Sequence, residues 1–341
     1  MPRLRTRPAR TASVATAAVL ALGLGLTACG SDDGSDAAAP AAQVKDAVVV
    51  GAFSNGAAKQ TTVKVSAVAS IRAELPKRVL DSNQLVIGLG QLPAGSAPLG
   101  FLGSDQKTLT GSEPDIGRLV AAVLGLKPVL ENATWENLFV GLDSGKTDVG
   151  FSNITDTEQR KLKYDFASYR KDNVAFEVRG KDTWNFAGDY RNLAGKTVAV
   201  GSGTNQEKIL LEWQTKLKAE GKKLDVKYYQ DSNSAYLALA GHKIDAYFAP
   251  NPSVAYHVAK TAGTPQATRN AGAYSGAGAS LQGLICATTK KDSGLVKPVA
   301  DALNYLIKNG QYAQWLAAWN LSNESVPASE INPPGLPTSN S

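Results

Sequence analysis

Cysteine and histidine, on which much enzyme chemistry depends, are almost absent from this 341-residue chain: it contains only Cys29, Cys286, His242 and His257. No nucleophile, histidine and acid occur as a group, and no spacing matches a metal site, so neither an activated nucleophile nor a resident metal is indicated. Both histidines are expected to face solvent. Cys286 lies in the apolar run Leu281 to Ala287, where a small buried residue is more typical than a reactive thiol.

The sequence also lacks a basic stripe, a phosphate-binding loop and a long apolar run after the last predicted helix. The formal net charge is +6, but four of the 36 basic residues lie in residues 1–28, which hold no acid, so the remaining 32 basic and 30 acidic residues give +2. No Lys/Arg stripe interleaved with aromatics indicates a nucleic-acid surface, and the G-x-x-x-x-G-K-[ST] spacing is absent. Nothing after Trp319 has the length and apolarity of a membrane span.

The chain begins with the pattern of a secretory signal. Arginines precede an apolar run from Ala12 to Leu26, which is too short and too rich in Ala, Gly and Thr for a retained membrane helix. L-T-A-C at 26–29 resembles the lipobox of bacterial lipoproteins, which implies a lipidated Cys29; ordinary secretion with Cys29 incidental is the alternative. Residues 1–28 are therefore predicted to be a lipoprotein signal peptide, and residues 29–43 a flexible Gly/Ser/Asp/Ala tether. A lipidated Cys29 leaves no disulfide partner for Cys286.

The body of the chain alternates short strands with helices, which is typical of βαβ units and a mostly parallel sheet. Strands are predicted at 85–89, 128–131, 149–151, 197–200 and 246–249, and helices at 116–124, 135–142, 236–240, 296–307 and 312–319. The spacing from Lys146 to Asp148 repeats from Lys243 to Asp245, just before two of these strands, and suggests two lobes of like architecture. Because ligands bind at the carboxyl ends of strands, Asn153 and the residue after 249, Pro250, are expected to face each other across a cleft.

Two strand ends carry the chemistry of a small-anion site. The first is the stretch D-V-G-F-S-N-I-T-D-T-E-Q-R-K-L-K-Y-D-F from 148 to 166, a strand, a polar turn and a short basic helix. Its Arg160 suits a carboxylate, which a guanidinium holds through two parallel hydrogen bonds; a surface ion pair with Glu158 or Asp165 is the alternative. The second is G-S-G-T-N-Q at 201–206, where Thr204 and Glu207 fit a capping box and free N–H groups suit an anion; a plain turn is the alternative.

These motifs together resemble the bacterial extracellular solute-binding proteins of family 3, the amino-acid-binding proteins of ABC importers. In that family a binding threonine is followed five residues later by an arginine and five further on by an aspartate, as in Thr155, Arg160 and Asp165. G-T-N-Q at 203–206 matches a second family motif, P-L-G-F at 98–101 a third, and N-Y-L-I-K-N-G-Q-Y-A-Q-W-L-A-A-W the closing segment. The resemblance covers about residues 83–320.

The resemblance implies an α/β, two-lobed periplasmic-binding-protein-like fold of type II, each lobe a mostly parallel sheet flanked by helices, with two crossing strands between them. Lobe 1 is expected to comprise residues 83–176 and 285–320, and lobe 2 residues 177–284. Residues 44–82 form an N-terminal extension without a firm pattern, although 48–51 suggests a strand and 68–79 a helix, and residues 321–341 are expected to be a disordered tail. The implied ligand-binding residues are Asn153, Thr155, Arg160, Thr204, Asn205, Phe101 and Trp135.

Two positions depart from the family pattern. Members that bind α-amino acids usually have, at the place of Pro250, an aspartate that pairs with the ligand ammonium; proline has neither charge nor N–H. Many also have an aromatic residue at the place of Ser96, so Phe101 and Trp135 are either apolar walls of the site or core residues. The ammonium partner is then another acid, with Glu113 and Asp231 as candidates, or the ligand is not a standard α-amino acid.

The function that the resemblance implies is solute capture without chemistry. The protein is expected to be the extracytoplasmic substrate-binding component of an ABC importer, anchored to the membrane through Cys29. It would close by hinge motion around a small carboxylate-bearing solute, an amino acid or derivative, and deliver it to a membrane permease. No cofactor, metal or nucleic acid is expected, and the protein is expected to be a monomer. The alternatives are a dehydratase-like extracytoplasmic enzyme on the same fold, and a sensor or wall-associated module.

Overall fold

A computed structural model describes residues 46–338. The predicted signal peptide 1–28, lipidated Cys29 and tether 29–43 lie outside the described residues. The strands are β1 Ala47–Val50, β2 Thr61–Lys64, β3 Gln84–Leu89, β4 Phe101–Leu102, β5 Leu109–Thr110, β6 Lys127–Asn132, β7 Val149–Gly150, β8 Tyr164–Arg179, β9 Thr197–Val200, β10 Asp225–Tyr228, β11 Ala246–Pro250, β12 Thr268–Ser275 and β13 Gly283–Lys290. The α-helices are α1 Ala69–Arg72, α2 Lys77–Ser82, α3 Ser112–Val123, α4 Trp135–Ser144, α5 Asn205–Ala219, α6 Ser232–Ala240, α7 Asn251–Thr261, α8 Val296–Lys308 and α9 Gln311–Ala318. Short 3₁₀ turns occur at Arg160–Leu162, Tyr190–Leu193 and Ser322–Glu324.

One nine-stranded sheet runs through both lobes in the order β10-β9-β11-β8-β13-β7-β3-β6, with β12 also paired to β8. The 16-residue strand β8 belongs to both lobes: residues 164–172 pair with β13, and residues 173–179 pair with β12, beside β11. We therefore assign β3, β6, β7 and β13 to lobe 1 and β9 to β12 to lobe 2. The change of partner at Asp172–Asn173 lies near the predicted boundary after residue 176. The two-lobed α/β fold is confirmed.

Each lobe has its own hydrophobic core. In lobe 1, helix α3 buries Ile116, Leu119, Val120 and Val123, the 3–4–7 spacing of one helix face. In lobe 2, Phe176 of β8 stacks on Phe248 of β11 with ring centroids 4.2 Å apart, in a cluster with other aromatic side chains. These rigid cores hold the strand ends that point at the lobe interface.

The N-terminal extension is part of lobe 1. Strands β1 and β2 form an antiparallel hairpin whose Val50 and Val63 are buried in the lobe 1 core. The Gly51 N–H donates to the buried carboxylate of Asp115 at 2.7 Å. The single helix suggested for 68–79 is instead two short helices, because Pro76 at the start of α2 cannot continue α1.

The C-terminal segment differs from the disordered tail that its prolines predict. Residues 321–338 are ordered: Glu324 is fully buried against lobe 1, and Leu336 has no exposed surface. Backbone bonds hold the segment to the edge of β8, for example from the Asn332 N–H to the Phe166 carbonyl at 2.8 Å. Across residues 46–338, no helix is long and apolar enough to cross a membrane.

Candidate functional site between the lobes

A cavity of about 550 Å³ lies between the two lobes. We call it the interlobe cavity. Its lining includes Gln91, Ser96, Trp135, Glu136, Ser152 and Asn153 from lobe 1, and Thr204, Asn205, Gln206, Tyr228, Gln230, Asp231, Tyr247 and Pro250 from lobe 2. Its described lining contains two carboxylates, Glu136 and Asp231, and no Lys, Arg, His or Cys.

The cavity forms where strands end. Ser152 and Asn153 follow β7, residues 201–206 follow β9, and Pro250 ends β11. These strands run parallel to their neighbours β3, β10 and β9, so their carboxyl ends open on the lobe interface. Asn153 and Pro250 line the same cavity, as the position of the two strands predicts.

The start of helix α5 presents unused donors to this cavity. Thr204 caps the helix, since its Oγ1 accepts from the Glu207 N–H at 3.1 Å, and Glu207 Oε2 accepts from the Gly203 N–H at 2.6 Å. The N–H groups of Thr204, Asn205 and Gln206 make no hydrogen bond to another residue within 46–338. All three residues line the cavity. The amino end of a 15-residue helix thus offers three donors and a positive partial charge to a cavity-bound anion.

Arg160 and Trp135 both bind the carbonyl of Gly203, across the lobe interface. The Gly203 oxygen accepts from Trp135 Nε1 at 3.2 Å and from Arg160 Nη2 at 3.0 Å, while Arg160 Nη1 donates to the Thr155 carbonyl at 2.9 Å. The guanidinium lies 5.4 Å from the Trp135 ring centroid. Burial lowers the pKa of Arg160 to about 10, so it remains charged at neutral pH. Arg160 lines a neighbouring groove rather than the interlobe cavity.

Asp172, which no sequence motif singles out, joins two predicted site residues from opposite lobes. Its Oδ2 accepts from the Thr155 hydroxyl at 2.7 Å and from the Asn205 amide at 3.0 Å. The carboxylate is buried, and burial raises its pKa to about 6. A Cβ at Gly276 would overlap this carboxylate, so only glycine fits there. We call Trp135, Thr155, Arg160, Asp172, Gly203 and Asn205 the interlobe latch. Asp172 stands in the charged stretch R-K-D-N, which gives no local sign of burial.

Asn153 is tied to a buried charge network beside the cavity. Its Oδ1 accepts from Arg170, and its backbone N–H donates to Glu113 Oε2 at 2.6 Å. Its φ of 53° is left-handed, a conformation that asparagine tolerates better than most residues. Arg170 also pairs with Glu113 at 3.2 Å and with Glu324 of the C-terminal segment. Burial alone would lower the pKa of Arg170, but the two carboxylates raise it above its ordinary value.

The other candidate residues differ in whether they line the cavity. Phe101 does not reach the cavity lining, and its ring packs edge-on against Trp319 at 6.4 Å between centroids. Glu113 bonds to partners within the buried charge network, whereas Asp231 lines the cavity and is the N-cap residue of α6. Ser96, at the place of a family aromatic residue, contacts Ser253 of the other lobe at 2.7 Å between hydroxyl oxygens.

Among the residues that the structure describes, the two histidines and Cys286 lie outside the lining of this cavity. His257 lies in lobe 2 with its Nδ1 2.5 Å from Glu177 Oε1, and it is half-buried rather than solvated as the sequence suggests. Cys286 is fully buried, and burial raises the pKa of its thiol well above the ordinary value. Within residues 46–338 no three His, Cys, Asp or Glu side chains are placed to hold a metal ion.

Comparison with known proteins places this architecture in a family. The L-cystine-binding protein TcyJ of Escherichia coli (strain K12) is 31% identical over 249 residues, which cover 72% of this chain and 85% of TcyJ. The arginine-binding protein ArgT of Corynebacterium glutamicum is 26% identical over 250 residues, 71% of this chain and 78% of ArgT. The solved structure of an ancestral arginine-binding protein bound to arginine superposes with a TM-score of 0.60 at 24% identity, over 70% of this chain and 98% of that one.

The family profile itself covers both lobes. The profile described as "Bacterial extracellular solute-binding proteins, family 3" matches residues 92–322. This range contains the turn with Thr155 and Arg160, the start of α5 and both crossings between the lobes. The chain therefore belongs to the bacterial extracellular solute-binding proteins of family 3, and it is a binding protein rather than an enzyme.

Proposed function

We propose that this protein is the substrate-binding component of an ABC importer and captures a small solute that carries a carboxylate, an amino acid or a derivative of one. The observation that carries the proposal is the row of three unused N–H donors at the start of α5, facing an interlobe cavity of about 550 Å³. A carboxylate is a small anion that accepts several such bonds at once, and each bond to a charged group is stronger than one between neutral groups.

The latch supplies the second half of the carboxylate site. Arg160 and Trp135 use the Gly203 carbonyl as their acceptor, and a solute carboxylate next to Thr204 competes for these donors because a charged acceptor binds a guanidinium more strongly. Thr155 takes part through the Arg160 bond to its carbonyl, while its hydroxyl is given to Asp172. Asn153, Trp135, Thr204 and Asn205 contact the solute as cavity lining. Phe101 supports the core and is not part of this proposed site.

Asp231 is the acid that we propose for the ammonium group of the solute. It lines the cavity on the lobe that carries Pro250, whereas Glu113 is surrounded by its own buried partners. The Asp231 carboxylate accepts from the Ser234 N–H at 3.0 Å and the Ser234 hydroxyl at 2.8 Å, one bond to each oxygen, so each keeps a further lone pair. An ammonium at this point would replace the pairing that Pro250 cannot make.

The same proposal includes the class of solute, the location of the protein and its membrane partner. Relatives named for cystine and arginine binding support an amino-acid solute. The lipobox at 26–29 supports a lipid anchor at Cys29 on the outer face of the cytoplasmic membrane, with signal peptide 1–28 removed. A monomer would then deliver the solute to a membrane permease by opening its hinge.

The test distinguishes the contribution of the backbone N–H groups at the start of α5 from that of the side chains of the same residues. Thermal melting of the protein against L-amino acids, including L-cystine and L-arginine, and against amine-free carboxylates identifies a solute; at one hundred times its dissociation constant it adds about 2.7 kcal/mol to stability. Affinity for that solute is then compared between Asn205→Ala, which keeps the backbone N–H, and Asn205→Pro, which removes it. Proline fits the first helical position, since Thr204 before it is already extended with ψ of 162°.

We expect Asn205→Pro to bind the solute about 10- to 100-fold more weakly than Asn205→Ala, the loss of one hydrogen bond to a charged group. Equal affinities in the two variants would remove the α5 start from the carboxylate site. No stabilisation by any compound in either set would contradict the carboxylate proposal itself.

A further inference from the structure

The C-terminal segment forms a third connection between the lobes, in addition to the two hinge strands β8 and β13. We call residues 329–337 the strap. On lobe 1 the strap follows the free edge of β8: the Ser168 N–H donates to the Glu330 carbonyl at 3.0 Å, and the Asn332 N–H to the Phe166 carbonyl at 2.8 Å. The side chain of Asn332 closes the pattern by accepting from the Phe166 N–H at 2.8 Å.

The strap next pairs with the turn that leads to Arg160. The Leu336 N–H donates to the Asp156 carbonyl, and the Glu158 N–H donates to the Leu336 carbonyl, both at 3.0 Å. Gly335 lies so close to Asp156 that a Cβ would meet its carbonyl oxygen at 2.6 Å. Lys161 adds a bond to the Pro333 carbonyl. The strap therefore supports the backbone of this turn along its length.

The end of the strap is buried in the other lobe. Leu336 has no exposed surface and belongs to the hydrophobic cluster of lobe 2, together with Leu210 of α5. Lys208, one turn into α5, donates to the Pro337 carbonyl. The same strap thus touches the turn of Thr155 and Arg160 on lobe 1 and the helix whose start carries Thr204 and Asn205 on lobe 2.

We propose that the strap is an interlobe clamp that holds the turn at 155–160 against helix α5 and so favours the closed arrangement of the lobes. Hinge motion displaces one lobe relative to the other, and the strap cannot remain seated on both. Several backbone hydrogen bonds hold it to lobe 1, whereas one leucine side chain and one lysine bond hold it to lobe 2. Release therefore occurs at Leu336, and the strap stays with lobe 1.

The experiment needs no solute, so its outcome is independent of the proposed function. The full chain is compared with Leu336→Ser, and with Ile331→Ser as the matched control: Ile331 lies on the same strap but is 45% exposed. Small-angle scattering measures the radius of gyration, and hydrogen exchange is followed by NMR at the Trp135 indole N–H, which donates across the lobe interface to the Gly203 carbonyl. We expect Leu336→Ser to enlarge the radius of gyration and to accelerate exchange of this indole N–H by tenfold or more, on the population arithmetic of a two-state shift.

Ile331→Ser is expected to change neither quantity. Lys208→Met, which keeps the aliphatic stem but removes the bond to Pro337, provides a milder variant should Leu336→Ser fail to fold, and it is expected to act in the same direction. Unchanged scattering and exchange in Leu336→Ser, or in Lys208→Met in its place, would overturn the clamp. An equal effect of Ile331→Ser would also overturn it, because the change would then come from loosening the strap on lobe 1.

Discussion

The interlobe cavity and the interlobe latch occupy one interface but satisfy their polar groups in opposite ways. In the latch, the Gly203 carbonyl accepts two bonds and the Asp172 carboxylate joins Thr155 to Asn205, so the groups meet protein partners. In the cavity, three N–H donors at the start of α5 have no partner among residues 46–338. Buried polar groups cost stability unless they are bonded, so donors left open at an interface indicate a place that a solute fills. The latch, in contrast, supplies contacts that hold the lobes together without one.

The largest effect is expected from the charge network next to the latch. Arg170→Ala leaves Glu113 and Glu324 buried without their cation, which should cost about 3–5 kcal/mol in the free energy of unfolding. Urea denaturation measures this cost. The matched control is Arg191→Ala: the Arg191 side chain is 54% exposed, and its Nε lies 3.1 Å from Glu220 Oε1. This variant should cost about 1 kcal/mol at most. Similar costs for the two variants would show that the network contributes no more than a surface pair.

A smaller effect, of opposite sign, is expected at Asp156. Its two carboxylate oxygens are buried without a hydrogen bond, and Lys161 Nζ lies 3.5 Å from Oδ2. Burial outweighs this ion pair and raises the pKa of Asp156 from 3.8 to about 7. The protonated form is therefore favoured in the fold, and its contribution to stability, complete below pH 3.8, is lost as the pH rises towards 7. The amide side chain of Asp156→Asn does not titrate, so the variant does not lose stability over this pH range. It should be more stable than the parent by about 1–3 kcal/mol at pH 7 and show little difference at pH 4.

The control for Asp156 is a carboxylate with full partners. Asp165 accepts from the Asp292 N–H at 2.9 Å and from Asn332 at 3.0 Å, so Asp165→Asn should reduce stability at pH 7. Chemical denaturation at pH 4, 5.5 and 7 compares the variants. A gain for Asp156→Asn that does not grow with pH would contradict the assignment of Asp156 as a buried carboxyl with a raised pKa.

The smallest effect is expected in the interlobe cavity. Asp231→Asn keeps an N-cap acceptor for α6 but removes the negative charge. Affinity for an amine-bearing solute should fall about tenfold, about 1.4 kcal/mol, and affinity for its amine-free analogue should not change. Titration calorimetry with both compounds provides the measurement, and Glu136→Gln, the other carboxylate of the lining, is the control. An equal loss for both compounds would make Asp231 structural rather than a partner of the ammonium.

Local sequence patterns predicted most of the elements that form the lobes. Strand β9 and helix α8 lie within one residue of their predicted bounds, because each carries its own apolar pattern and turn signals. Strand β12 was not predicted: T-R-N-A-G-A-Y-S shows no clear alternation, and its pairing partner β8 is about 90 residues away. The strap was missed for the same reason, since its prolines give no pattern and its order comes from bonds to the distant β8.

The sequence predicted the site residues that directly follow strands, but not those whose position depends on contacts between the lobes. Asn153, Thr204 and Asn205 line the cavity because their strands place them there. Phe101 was ambiguous because an aromatic residue after a Gly/Pro loop fits either core or wall, and Trp319 holds it in the core. The position of Asp172 depends on a contact between two lobes, which no spacing within R-K-D-N can encode.

The continuity of β8 also limits how this protein can be recombined. One unbroken strand of 16 residues contributes to the hydrogen-bond ladders of both lobes. A single-residue insertion within it would turn every following side chain to the opposite face, and would bring the buried Glu177 to the side of the sheet where Phe176 and Val178 pack in the lobe 2 core. Chimaeras that take one lobe from this chain and the other from a relative should therefore be joined in register at the same β8 position, with the second junction placed in the loop before β13.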